Sequence, residues 1–165
     1  MGQNLRHIIS VTALALVVAA CGGAEPTTAP ASEPKVIPGS HGARTGDHWH
    51  ASLSVNVCGI PFTVPAFPAG IHSHGDGQIH IHPSLGEDAG QNATLGRFLE
   101  VSYDAGALAV LIGRIQLPGE PVYRDGDACP DGNPGKLEVS INGESNPDFL
   151  NYLLQDGDRI IIKFG

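Results

Sequence analysis

From His48 to Val57 the chain alternates strictly. Trp49, Ala51, Leu53, Val55 and Val57 share one side, and His48, His50, Ser52, Ser54 and Asn56 share the other. A period of two predicts a strand with one apolar face. "CGIPFTVPAFPAG" follows, and its prolines and glycines break the pattern into a loop or an edge excursion. "GIHSHGDGQIHIHP" then places a Gly-Asp-Gly turn between two alternating runs, which predicts a hairpin. "NATLGRFLEV" carries Leu95, Phe98 and Leu99 at i, i+3 and i+4, a short helix that Asn92 or Thr94 can cap. "ALAVLIGRIQLPG" reads as an interrupted strand, and "DGDACPDGNPG" as a long turn. "KLEVSING" has Leu137, Val139 and Ile141 on one side and a turn at Asn142-Gly143. "NPDFLNYLLQDGD" holds a helical turn that Asn146 can cap, and "RIIIKFG" is a last strand.

That order predicts an α+β domain: a small mixed or antiparallel sheet of about five strands with one or two short helices. An all-β sandwich is the alternative.

The hairpin makes a sharper statement about its histidines. Opposed residues of an antiparallel pair share a face. A loop of even length would set His74 against Ile79 and send the two His-x-His pairs to opposite sides. A three-residue loop, Gly75-Asp76-Gly77, sets His72 against His80. It puts His72, His74, His80 and His82 on one face, and leaves Ile71, Ile79 and Ile81 for the core. Gly77 can take the left-handed position such a loop needs, so the odd loop is expected. If the first strand pairs beside this hairpin, His48 and His50 join the same patch, with Asp47 and Asp76 close by.

Six of the eight histidines therefore fall in three His-x-His pairs within 35 positions. Side chains two apart on a strand point the same way, roughly 6.5–7 Å apart, and can converge on one ion. Imidazole suits Zn(II) and Cu(II). The one methionine is Met1, so the usual soft donors for Cu(I) are missing. The patch has room for one ion or for two neighbouring ones. Without metal it is a polar surface that charges as pH falls through about 6.5. Asp125, Asp127, Asp131 and Asn133 lie together in a turn-rich segment and are a weaker candidate for Ca(II), since their spacing departs from the EF-hand. No nucleophile elbow, phosphate loop or His-Glu-x-x-His is present.

The first twenty residues stand outside this pattern. "VTALALVVAA" is apolar but too short for a stable membrane span. It closes on "VVAAC", and with Val18, Ala20 and Cys21 it resembles the lipobox of bacterial lipoproteins. The resemblance implies a signal peptide at 1–20, cleavage, and lipid (palmitate) on Cys21. Residues 21–45, rich in proline and small residues, read as a disordered tether with a reach on the order of 25–30 Å, and His41 sits in it. The globular domain is expected at 46–165. The chain would then sit on the extracytoplasmic face of a cell membrane, held by its acyl chains. Its formal net charge of −8 argues against nucleic acid as a partner and gains little from anionic lipid. In that compartment disulfides persist, and Cys58 and Cys129 are the obvious pair once Cys21 is acylated.

The stretches "KLEVSINGE" and "FLNYLLQDGDRIIIKFG" resemble the ubiquitin-like β-grasp fold, above all its small sulfur carriers. The resemblance implies a fold. It does not imply carrier chemistry, which needs a terminal Gly-Gly in the cytoplasm where this chain has Gly165. Three functions are consistent with these features. The first is a lipoprotein that captures a transition metal for storage, buffering or delivery to a transporter. The second is a zinc enzyme, with Asp47, Asp76 or Glu87 as its general base. The third is an envelope interaction domain with no metal.

Overall fold

A computed structural model describes residues 41–165. The lipobox, Cys21 and residues 21–40 of the tether lie outside the described residues.

Among the described residues, ten strands and one α-helix follow one another. β1 (Trp49–Val57) and β2 (Ile60–Phe62) come first, then β3 (Ile71–His72) and β4 (Gln78–Ile81). The helix α1 (Leu95–Asp104) follows. β5 (Ala109–Leu111), β6 (Arg114–Gln116) and β7 (Tyr123–Arg124) make a small antiparallel sheet. β8 (Leu137–Ile141), β9 (Glu144–Ser145) and β10 (Arg159–Phe164) complete the main sheet. The fold is α+β. The main sheet has seven strands rather than about five, in the order β3-β4-β1-β10-β8-β9, with β2 also paired to β1. An all-β sandwich is set aside, because a ten-residue helix packs its apolar stripe on the core.

The centre of the sheet joins the two ends of the domain. β1 runs parallel to β10, with Ser52 opposite Arg159 and Val57 opposite Phe164. Both strands follow their alternation: Ala51, Leu53, Val55 and Val57, then Ile160, Ile162 and Phe164, are all buried. α1 closes that face with Leu95, Phe98, Leu99 and Ser102, one helical stripe. Thr94 caps it by accepting a hydrogen bond from the Arg97 N–H at 3.0 Å.

Three local features escape the sequence reading. Cys58-Gly59 is a two-residue turn that sends β2 back along β1, with Val57 opposite Ile60. Cys58 and Gly59 both have positive φ, 52° and 82°, which a primed hairpin turn requires. Cysteine seldom signals such a turn. The interrupted strand after α1 is a hairpin, β5 and β6, turning at Ile112-Gly113. The helical turn at Phe149–Asn151 has Asp148 at its N-cap, while Asn146 accepts from the Asp148 N–H at 3.0 Å.

The fold also includes residues ahead of Gly46. Ala43 is fully buried, its carbonyl accepts from the Gly90 N–H at 2.7 Å, and the Gly46 N–H donates to Pro83 at 3.1 Å. His41 is exposed, its ring 6.3 Å from that of Trp49.

Candidate metal centre

The register of the sheet places the histidines. His80 on β4 is opposite His50 on β1 and also opposite His72 on β3. One row across three strands therefore carries three imidazoles, on the face away from Ile71, Ile79 and Ile81, all fully buried. The turn has odd parity, and both Gly75 and Gly77 take positive φ, 79° and 76°. The Gly77 carbonyl also accepts from the Leu53 N–H.

The six rings form two groups of three: His48, His50 and His82, and His72, His74 and His80. Within each, one ligand atom per residue lies within 4.8 Å of the others. The segments around β1 and β3, on either side of β4, each contribute a whole His-x-His pair, and the segment of β4 divides its pair between them. The groups adjoin. His50 and His80 have ring centroids 4.7 Å apart, and His72 and His82 5.1 Å.

Nε2 of His48 is 3.2 Å from Nε2 of His50, and Nε2 of His72 is 3.1 Å from Nε2 of His74. These are N–H···N hydrogen-bond distances without metal. They are also near the roughly 3.3 Å between two nitrogens on a tetrahedral ion bound at about 2.0–2.1 Å. His72 and His80 are 9% and 8% exposed, shielded largely by other imidazoles. Nε2 of His82 is buried with no hydrogen-bond partner, and Nδ1 of His72 is buried without a well-formed one, although the Ala69 backbone lies close enough to His72 to favour its protonated form. Such orphaned nitrogens are expensive unless something binds them.

Comparison with protein-family models, with characterised proteins and with solved structures returns no match for this chain. The chemistry of the site is what remains to identify it.

Neighbouring groups hold the rings in place. The Asp76 carboxylate meets His80 Nε2 at 2.8 Å and accepts from the Gln78 N–H at 3.1 Å. A carboxylate so placed fixes the tautomer and orientation of an imidazole. Burial alone would raise the Asp76 pKa, but these hydrogen bonds outweigh it and hold the carboxyl below its ordinary range. The turn before β10 was not foreseen as part of the site. Asp156 accepts from the His50 N–H at 2.9 Å, and the Gly157 N–H donates to the His50 carbonyl at 2.8 Å. Asp158, 4% exposed, braces that turn through Asn142, Tyr152 and the Gln155 N–H. The His82 N–H donates to Gly70 at 2.8 Å. A side chain at Gly70 would collide with the Asp88 carboxylate, which is buried and bound to Arg97 Nε at 2.7 Å.

The other acidic candidates are used elsewhere. Asp47 accepts from the Arg44 N–H at 2.7 Å and closes its own turn. Glu87 is exposed beside Arg97 at 3.6 Å. Asp125 accepts from the Leu137 N–H, Asp127 from the Arg124 N–H, and Asp131 from Asn133. Among the described residues these carboxylates are not gathered around a common point.

Burial, helped by His48, His72, His80 and His50, pushes the His82 pKa down to about 4. Burial also lowers that of His72; the Ala69 backbone opposes it, and His74 and His80 reinforce it. Both rings bind protons more weakly folded than unfolded, where the pKa is about 6.5. Their contribution to stability is therefore complete above about 6.5 and declines as pH falls toward 4. Metal-free protein should show a urea midpoint that drops steadily over that window, and less so in His82→Asn. A flat midpoint from pH 7 to 4.5 would contradict this.

Proposed function

We propose that this chain captures transition-metal ions, one in each histidine triad, on the extracytoplasmic side of a membrane to which a lipid on Cys21 anchors it, for storage, buffering or delivery to a transporter. The observation that carries the reading is the convergence of six imidazoles into two adjoining groups of three, with two buried ring nitrogens lacking a well-formed hydrogen bond. Surface histidines placed at random would find water instead. The Cys58–Cys129 disulfide supports an oxidising compartment. No helix among the described residues is long and apolar enough to cross a membrane, so attachment would rest on the lipid. The donor set favours Zn(II) or Cu(II). The path from β1 through α1 to β10, with β1 and β10 parallel at the centre, is consistent with a β-grasp frame.

Equilibrium dialysis of the full chain should give close to two Zn(II) or Cu(II) per chain and a melting temperature that rises with free ion. Unchanged binding after His72→Ala/His74→Ala/His80→Ala/His82→Ala would refute the proposal. So would a chain that stays metal-free at micromolar ion, the outcome an envelope interaction domain requires.

A second reading, a zinc enzyme, draws on the count of ligands. Three imidazoles leave a fourth position on each ion for water, which zinc activates. It also needs a general base. Asp76 is tied to His80 and Glu87 faces Arg97, which favours capture over catalysis.

A further inference from the structure

A second concave site lies between α1 and the three-stranded sheet, and none of its lining belongs to the histidine triads. It is a groove of about 620 Å³, within the roughly 300–1,000 Å³ that small-molecule ligands fill. Its floor is aliphatic, built from Leu99, Val110 and Ile115. Tyr103 and Leu111 line it while 64% and 45% exposed. Large apolar residues are also exposed singly elsewhere, at Ile60, Leu85 and Ile161, but here two of them stand beside a concave aliphatic floor.

Two arginines stand at one side. Arg114 on β6 is directly opposite Arg124 on β7, and both line the groove. Like charges facing each other across strands destabilise a sheet. The ion pairs among the described residues involve only His80 and Arg97, so neither Arg114 nor Arg124 has a carboxylate within reach there. Glu100, across the groove, is held by Arg97 Nη1 at 3.0 Å. Asp125 and Asp127, on either side of the turn after Arg124, are engaged by the backbone N–H groups of Leu137 and Arg124. A facing pair of guanidiniums with no ion pair of their own among the described residues, beside an aliphatic trough, suits an anionic head on an apolar chain. Guanidinium forks grip carboxylates bidentately.

We propose that this groove binds a single-chain carboxylate amphiphile, of the fatty-acid class, with its chain along the Leu99–Ile115 floor and its head on Arg114 and Arg124. A protein partner is a poorer match, since a stable interface buries roughly 800 Å² per side and the feature here is a concave groove of about 620 Å³.

The test is isothermal titration of the full chain, freed of metal with chelator, with dodecanoate below its micelle concentration. Saturable one-to-one binding is expected, with dodecanol at least tenfold weaker. Arg114→Gln/Arg124→Gln should weaken dodecanoate at least tenfold, and Ala109→Phe should fill the groove and abolish binding. The arginines are exposed, so their double variant keeps the test decisive even if Ala109→Phe does not fold. Absence of saturable binding, equal affinity for dodecanol, or full affinity in the arginine variant would each overturn the proposal. So would recruitment by phosphatidylglycerol vesicles without dodecanoate binding, which would make the pair a membrane contact. Dimerisation lost on Ala109→Phe would do the same, by making the groove a contact between copies.

Discussion

His80→Ala/His82→Ala should abolish both metal sites in one step, taking stoichiometry from two ions per chain to near zero. The two residues are two positions apart, His80 on β4 and His82 just past its end, yet they serve different triads. Removing either leaves a pair of imidazoles 3.1–3.2 Å apart on the segment of β3 or β1, and two ligands hold an ion far more weakly than three. Each single variant should therefore keep one site: His80→Ala retains the His48–His50–His82 group, and His82→Ala retains the His72–His74–His80 group. Dialysis with metal analysis measures this directly. Loss of both ions in a single variant would mean that the six rings form one indivisible cluster. Retention of both in the double variant would mean that the outer pairs suffice.

Removing the disulfide, by Cys58→Ala/Cys129→Ala, should cost about 4 kcal/mol, because the bond spans 71 positions and closing so long a loop restricts the unfolded chain strongly. For a domain of this size that is a fall of roughly 10–20 °C in melting temperature. The bond holds the left-handed Cys58 turn, and with it the β1–β2 hairpin, to the loop around Cys129. Thermal unfolding with and without reductant measures the effect, and a change below about 1 kcal/mol would show that the loop is already constrained without it. Metal binding should survive reduction at low temperature, since no triad residue lies on that turn.

Parity was readable from residue order. In "IHSHGDGQIHIHP" the isoleucines choose the core face, and that choice carries the imidazoles to the other side. Alternation in "RIIIKFG" and "KLEVSING" likewise sets which residues are buried. What could not be read was lateral order. Nothing in the spacing of His80 and His82 says that β4 lies between β1 and β3, so the division of its pair between two groups was out of reach. The bracing of His50 by Asp156 and Gly157 was hidden for the same reason: over a hundred positions separate them, and only the parallel pairing of β1 with β10 brings them together. β2 and the β5–β6 hairpin were missed because their turns use Cys58 and Ile112, residues that composition does not flag as turn formers.

The parallel pairing at the centre of the sheet has a consequence for biogenesis. Ser52 waits for Arg159, so β1 has an open edge until the C-terminal segment emerges, and such distant pairings form slowly. All six imidazoles leave the ribosome well before that segment does. A nascent chain thus offers flexible nitrogen donors to any available ion before the lattice of strands that sorts them into threes exists.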